Sequence, residues 1–391
     1  MNGASDRYSN QFDPDTALDL EAIEREIAQL WHPDARGADP ITSLATRASV
    51  LNLIIVANDD EDAAHAQRAS EHLSQIHPCR VILFNRVSGS DKSRLSPAIY
   101  ATCEADGDGP AAPCIERIRI PVNRQMYRQL ASLVQPLIIP ELPAYLWWPG
   151  RPAIADPSFV ALARASNLTV IDSLLLGSTQ ELQSLSDLQA QLPARTVIAD
   201  LNWQRLQPWR ELTAQFFDIR SAQWALTCIR EVEIDAGRVD GHALPIQAMM
   251  FASWLAHCLN WTPFSARRTR KDRWYIGMRD HSGEHVRIII RTRPDHGAWA
   301  GHLLAMSMSA HQEEGDSSTL SLSRSRESSL IRMHARSGAD SATHHAVHHP
   351  LLPDEALLVP VLEATTRDHV FDASLEKAIE TLDFFQNLEA T

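Results

Sequence analysis

The feature that most limits the fold lies between residues 47 and 87, where RASVLNLIIVAN is followed by DDEDAAHAQRASEHLSQIH and then by CRVILFNRV. The first and third pieces are near-continuous apolar runs without alternation, as expected of strands buried on both faces. The middle piece reads as a helix with a polar face. Strand, helix, strand is the unit that builds a parallel sheet covered by helices. The pattern returns in LTVIDS, QELQSLSDLQAQL and RTVIADLNW, between residues 168 and 203. The N-terminal half is therefore expected to be α/β, a mixed, mostly parallel sheet with helices on both faces.

Other segments modify this plan. Residues 15 to 30 repeat apolar residues near helical spacing and predict a first amphipathic helix. SPAIYATCEA and CIERIRIPV flank an acidic turn and predict an antiparallel pair at the sheet edge, with Cys103 and Cys114 across from each other. LPAYLWWPG predicts a short buried strand closed by a turn, whose alternation sends Trp147 and Trp148 to opposite faces. LQPWRELTAQFFD is a helix with proline in its first turn.

Beyond it the rhythm changes to one long apolar helix, LPIQAMMFASWLAHCLNW, and several consecutive strands from 273 to 334. This predicts an α+β C-terminal domain with an antiparallel sheet. With a boundary near 217 to 225, the expected parts are an N-terminal helical segment (1–40), an α/β domain (41–220) and an α+β domain (221–391).

Thirty-six basic against 49 acidic residues give a net charge of -13. That balance disfavours a nucleic acid or an anionic membrane as partner. No apolar run approaches the roughly 18 to 20 residues of a membrane-spanning helix. The opening MNGASDRYSNQFDPDTALDL has no basic-then-apolar leader pattern, so a cytoplasmic location is expected. Five cysteines without a CxxC pair fit a reduced compartment.

Motifs for catalysis are missing. There is no glycine-rich dinucleotide fingerprint, phosphate loop, serine nucleophile elbow or zinc-protease helix, and no catalytic, cofactor or metal residues are assigned. Asp59, Asp60 and Asp200 stand at predicted strand ends, where helix capping is the favoured role and metal or acid-base chemistry the minor one. THHAVHH (343–349) holds the densest histidines and is read as a solvated connection. The basic run SARRTRKDRW (265–274) is read first as a solvated turn, with Arg267, Arg268 and Arg270 as contacts to a partner or a sugar phosphate in the alternative. Arg287, Arg291 and Arg293 would extend it into a basic sheet face if the strands pair suitably. Two readings stand beside each other: an interaction protein, and a regulatory module binding a sugar phosphate or nucleotide.

The ordered set LPAYLWWPG, VIDS and ADLNWQRLQPWRELTAQFFD, with TRASVLNLIIVA and HPCRVILF before it, resembles the glucose-6-phosphate dehydrogenase assembly protein OpcA family, best over roughly residues 40 to 260. The resemblance implies a non-catalytic cytoplasmic protein, found largely in cyanobacteria and related bacteria. It would bind glucose-6-phosphate dehydrogenase, promote its active oligomer in the oxidative pentose phosphate pathway and act as an allosteric activator. It implies no cofactor. The candidate partner contacts are Trp209, Arg210, Trp148 and Arg47, together with Arg267, Arg268 and Arg270. Trp209 is the favoured exposed anchor.

Overall fold

The computed structural model describes residues 5–8, 20–30, 46–47, 49–87, 97–103, 113–269, 273–294, 297, 299–312, 316–325, 329–337, 341–364 and 366–389. The chain packs into two compact units. The first takes Met1–Asp172, Gln191–Ala199 and Asp354–Arg367; the second takes Ser173–Ala190, Asp200–Pro353 and Asp368–Thr391.

In the first unit the chain forms β1 (Ser5–Tyr8), α1 (Leu20–Leu30), β2 (Thr46–Arg47), β3 (Leu51–Ala57), α2 (Asp60–Ile76), β4 (Cys79–Arg86) and β5 (Ala98–Cys103). β6 (Pro113–Val122), α3 (Arg124–Tyr127), α4 (Leu130–Val134), β7 (Ala144–Trp147), α5 (Pro157–Ala165), β8 (Leu168–Ile171) and β9 (Val197–Asp200) complete the sheet. Its strand order is β1-β5-β6-β4-β3-β7-β8-β9, with β2 beside β6. β6, β4, β3, β7 and β8 pair in parallel, and β5 joins β6 antiparallel at the edge. The backbone register of that pair sets Cys103 opposite Cys114.

The run β6-β4-β3-β7-β8-β9 has the order of a doubly wound dinucleotide-binding sheet, whose direction of winding reverses between β3 and β7. All seven residues of β3 are buried, as the lack of alternation in LNLIIVA requires. α2 turns Ala63, Ala66, Ala69 and Leu73 inward, and α5 does the same with Phe159 and Leu162. Arg80 on β4 is locked to Glu116 on β6 at 2.7 Å and donates to the Leu137 carbonyl at 2.7 Å, an ion pair sealed inside the unit.

The second unit holds α6 (Thr179–Gln191), α7 (Leu201–Arg205), α8 (Gln207–Asp218), β10 (Ile229–Gly237), α9 (Ile246–Cys258), β11 (Thr262–Thr269), β12 (Arg273–Arg279) and β13 (His285–Arg293). β14 (Leu303–His311), β15 (Ser317–Arg324), β16 (Leu330–Ser337) and β17 (Ser341–His348) follow. α10 (Asp354–Glu363) returns to the first unit and α11 (His369–Glu389) closes the second.

The strand order here is β11-β12-β13-β10-β14-β15-β16-β17. Every pair is antiparallel except β10 with β13, which run parallel because the connection through α9, β11 and β12 re-enters on the same heading. α9 is buried from Ile246 through Ala256, so it is apolar all round, with α11 packed against it. All of THHAVHH but its last histidine belongs to β17, not to a loop: an edge strand needs backbone pairing with β16 and no apolar stripe, and His344, His345 and His348 stay exposed. No helix among the described residues is long and apolar enough to cross a membrane.

Candidate functional site

Open α/β sheets take their ligands beyond the carboxyl ends of the strands, at the point where the winding reverses. Here that crevice lies past Ala57 of β3 and Trp147 of β7, and the chain fills it with its own side chains. Trp147 and Trp148 are both fully buried. They leave the strand on opposite sides, as alternation demands. Trp147 meets His65 of α2 with ring centroids 6.1 Å apart. Trp148 meets Phe159 of α5 at 4.9 Å and Tyr127 of α3 at 6.3 Å.

The indole Nε1 of Trp148 donates to Oδ1 of Asn58, 3.3 Å away, across the mouth of the crevice. Asn58 in turn donates from its backbone N and Nδ2 to Oδ2 of Asp62, at 3.2 and 3.0 Å. Its Nδ2 also reaches the Arg151 carbonyl at 3.2 Å. Gly150 sits against Asp62 with φ +72°, and a β-carbon there would lie 2.3 Å from the Asp62 carboxylate. Burial raises the Asp62 pKa above its usual range, against the hydrogen bonds from Asn58.

The start of α2 is closed as well. A helix N-terminus binds phosphate through free N–H groups and its positive dipole end. At this one Asp59 caps the helix by accepting from the backbone N of Glu61 at 3.0 Å and of Asp62 at 2.9 Å. The run Asp59, Asp60, Glu61, Asp62 places four carboxyl groups where a pyrophosphate would need donors. Asp60 is taken up by Nδ2 of Asn85 at 3.0 Å. Asp200 caps α7 and accepts from Ser173 Oγ at 2.6 Å. From there a buried chain of hydrogen bonds runs through Asn202 and Gln247 to the backbone N of Leu303. These three aspartates therefore serve as caps and fasteners. Among the described residues no group of three or more His, Cys, Asp or Glu is arranged to hold a metal ion.

The sequence candidates separate into interior and surface groups. Trp148 and Trp209 are 0% and 1% exposed, so the expectation of Trp209 as an exposed anchor is corrected. Trp209 shares its helix face with Leu212, Thr213 and Phe216, all buried, and the Arg324 guanidinium lies over its ring at 5.7 Å. Arg210 stacks on the Trp203 ring at 3.8 Å, and burial lowers its pKa. Trp203 donates from Nε1 to Asp368 at 2.8 Å. Arg267 and Arg268 are exposed on β11 and lie over Tyr275 and Trp274 respectively, on opposite sides of the sheet. Arg47 falls in β2, with its side chain outside the described residues, as is all of Arg270.

The second unit carries hollows of different kinds. One, about 30 Å³, is lined by Arg238, His242, Arg268 and Thr292 and has room for about one water. Another is an open groove of about 930 Å³ on the sheet surface, with Arg267, Tyr275, Gly277, His285 and Arg287 along it. Sequence reasoning missed Asn58, Asp62 and Gly150. The available signal was the acidic DDED run in the first strand-to-helix turn.

The "Glucose-6-phosphate dehydrogenase subunit N-terminal domain" matches residues 70–199 and the corresponding C-terminal domain matches residues 196–375, both under the OpcA name. The chain belongs to the OpcA family. The chain is similar to OpcA relatives that bear the name OxPP cycle protein. The one from Synechococcus elongatus is 28% identical over 361 residues, covering 90% of this chain and 79% of its own length. The one from Nostoc punctiforme is 27% identical over 315 residues, covering 79% of this chain and 66% of its own length. Among solved structures, an oxidoreductase from Sinorhizobium meliloti superposes with a TM-score of 0.53 at 8% identity, over 87% of this chain and 97% of that one. That likeness concerns the fold alone. In this OpcA member the winding-reversal crevice of the sheet is filled by Trp148, Asn58 and Asp62.

Proposed function

We propose that this chain is a non-catalytic cytoplasmic assembly protein that binds glucose-6-phosphate dehydrogenase and promotes its active oligomer in the oxidative pentose phosphate pathway. Membership of the OpcA family points to the dehydrogenase. The observation that carries the non-catalytic part is the filled crevice: the α2 N–H groups are taken by Asp59, and the space beyond β3 and β7 holds Trp148, Asn58 and Asp62. A dinucleotide would have to displace a buried indole and face four carboxyl groups. The activating effect follows from linkage: a protein that binds the assembled enzyme more tightly than its separated form shifts the equilibrium by the difference in affinity.

The test mixes the purified chain with its cognate dehydrogenase. A rise in specific activity together with a larger species in sizing chromatography is expected. Neither change, across a range of concentrations and under both reducing and oxidising conditions, would overturn the reading. Calorimetric titration with glucose 6-phosphate and NADP gives no heat on this proposal; a saturable signal would favour a small-molecule regulatory module instead.

A further inference from the structure

The eight-stranded sheet of the second unit has one face buried and one open. Burial alternates along β14, β15 and β16, with Met306, Met308, Leu320, Leu322 and Met333 turned inward. On the other face the register lines residues up in rows that cross the sheet. One row runs from Arg267 through Tyr275, Ile289, Glu233, Ser307 and Ser321 to His334.

The charges on this face are unequal. The acids Glu231, Glu233 and Asp235 all come from β10 and are engaged by its parallel neighbour β13. Arg287 pairs with Glu231, Arg291 with Glu233 and Asp235 at 2.9 and 2.7 Å, and Arg293 with Asp235 at 2.5 Å. Beyond that neutralised centre stand Arg267, Arg273 and Arg279 on one flank and Arg332 and Arg336 on the other, all exposed. Their cross-strand neighbours include Tyr275, Arg291, His285, Ser323 and Thr319, none of them acidic. Among the described residues of this face, eight arginines against three carboxylates leave a surplus of five positive charges, on a chain whose total is -13. Between the flanks, Ala305, Ser307 and Ser309 of β14 face Ser323, Ser321 and Thr319 of β15, so the surface there is low and flat.

The dimensions suit a protein. Eight strands about 4.8 Å apart, each about 27 Å long, present roughly 1,000 Å². A standard interface takes about 800 Å² from each partner. A second copy of this chain would set the same surplus of arginines against itself, so the complementary occupant is acidic.

We infer that the open face of this sheet is the docking surface for an acidic face of a protein partner. The inference rests on the association with the dehydrogenase proposed above, and names the surface and its chemistry. The test compares four samples by surface plasmon resonance against immobilised cognate dehydrogenase. They are the wild type, the triple variant Arg267→Glu, Arg332→Glu, Arg336→Glu, and a control variant Arg124→Glu, Arg128→Glu, which reverses exposed arginines of the first unit. The fourth is the wild type with salt raised from 0.1 M to about 1 M, which shortens the Debye length from about 10 to about 3 Å.

Binding at least tenfold weaker for the triple variant and in high salt, with the control unchanged and all variants melting like the wild type, is expected. A triple variant that binds like the wild type overturns the docking face and leaves the association standing. Equal losses in the control also overturn it, since any basic patch would then serve. A wild type that does not bind at all overturns the association and the face with it. Sedimentation of the wild type as a dimer that the triple variant splits would make the face a self-contact and overturn the inference.

Discussion

Placing alanine at Gly150 tests the closure of the crevice. The residue has φ +72°, a left-handed conformation that costs an L-residue with a β-carbon about 1–2 kcal/mol. The new carbon would also sit 2.3 Å from Oδ2 and 2.6 Å from Oδ1 of Asp62, so the carboxylate must move. It then gives up the two hydrogen bonds it accepts from Asn58, at about 0.5–1.5 kcal/mol each. Together the backbone and clash contributions predict a loss of about 2–5 kcal/mol for Gly150→Ala.

The two contributions separate in a double-mutant cycle. In an Asp62→Ala background there is no carboxylate to displace, so Gly150→Ala should cost only the backbone part, about 1–2 kcal/mol. The double variant is therefore more stable than the sum of the singles by about 1–3 kcal/mol, the value of the Asn58 hydrogen bonds counted once rather than twice. Urea unfolding followed by tryptophan fluorescence measures all four corners, with Trp148 beside the perturbation. Equal costs of Gly150→Ala in both backgrounds would refute the contact with Asp62, and with it this account of how the crevice is closed.

Other outcomes follow from the interior. Glu116→Ala should lose up to about 3–5 kcal/mol in urea unfolding, because buried Arg80 gives up its short ion pair and keeps only the Leu137 carbonyl and the half-exposed Glu24, 3.6 Å away. Replacing both with Arg80→Met and Glu116→Leu should recover most of that, and a double variant no better than the single would count against the buried pair. His302 has its pKa pushed down to about 3 by burial, with Arg205 and Arg324 adding to the effect. Its folded value lies below the ordinary 6.5, so the unfolded chain takes up the proton first. Stability is full above about pH 6.5 and falls as the pH drops toward 3, by about 2 kcal/mol at pH 5 from this residue. His302→Gln should flatten the stability profile between pH 6.5 and 5; an unchanged profile would show that His302 is not held neutral. Trp148→Ala should lose about 3–5 kcal/mol and create no NADP binding, since Asp59 still caps α2; NADP binding to this variant by calorimetry would show that the indole alone excludes the nucleotide.

Much of the first unit was legible because its strands lack alternation. LNLIIVA and CRVILF can only be buried on both faces, which requires helices on both sides of a parallel sheet. Trp209 is buried, against expectation, and its sequence context does carry the signal. Its position relative to Leu212, Thr213 and Phe216 follows the three, four and seven spacing of one helix stripe. Being bounded by turns says nothing about which way a side chain faces. THHAVHH carries no strand signal because hydrophobic pattern detects strands only where one face is buried, and an edge strand is held by its backbone. The contact between Asn58 and Trp148 was out of reach: 90 positions separate them, and only the placement of β7 beside β3 brings them together. The basic sheet face was half visible in Arg287, Arg291 and Arg293. That Glu231, Glu233 and Asp235 lie beside them depends on the parallel pairing of β10 with β13, which local pattern does not encode.

The same substitution of interior for ligand explains why the family landmarks and the proposed docking surface do not coincide. In an enzyme on a doubly wound sheet, the first strand-to-helix turn must stay open, and glycines there let the chain approach a phosphate. In this chain Gly150 lets the chain approach Asp62 instead, and WW, DLNW and QPWR place their tryptophans inside. Residues that identify the family thus act on stability, each with several buried neighbours. Arg267, Arg332 and Arg336, by contrast, are exposed on the open sheet, where a partner can reach them. Damage at the landmarks should therefore lower the melting temperature and reduce binding only through the amount of folded protein. Charge reversal on the open sheet should reduce binding at unchanged melting temperature. A landmark variant such as Arg210→Ala that weakens binding while keeping the wild-type melting temperature would break that separation, and would place the partner against α8 as well.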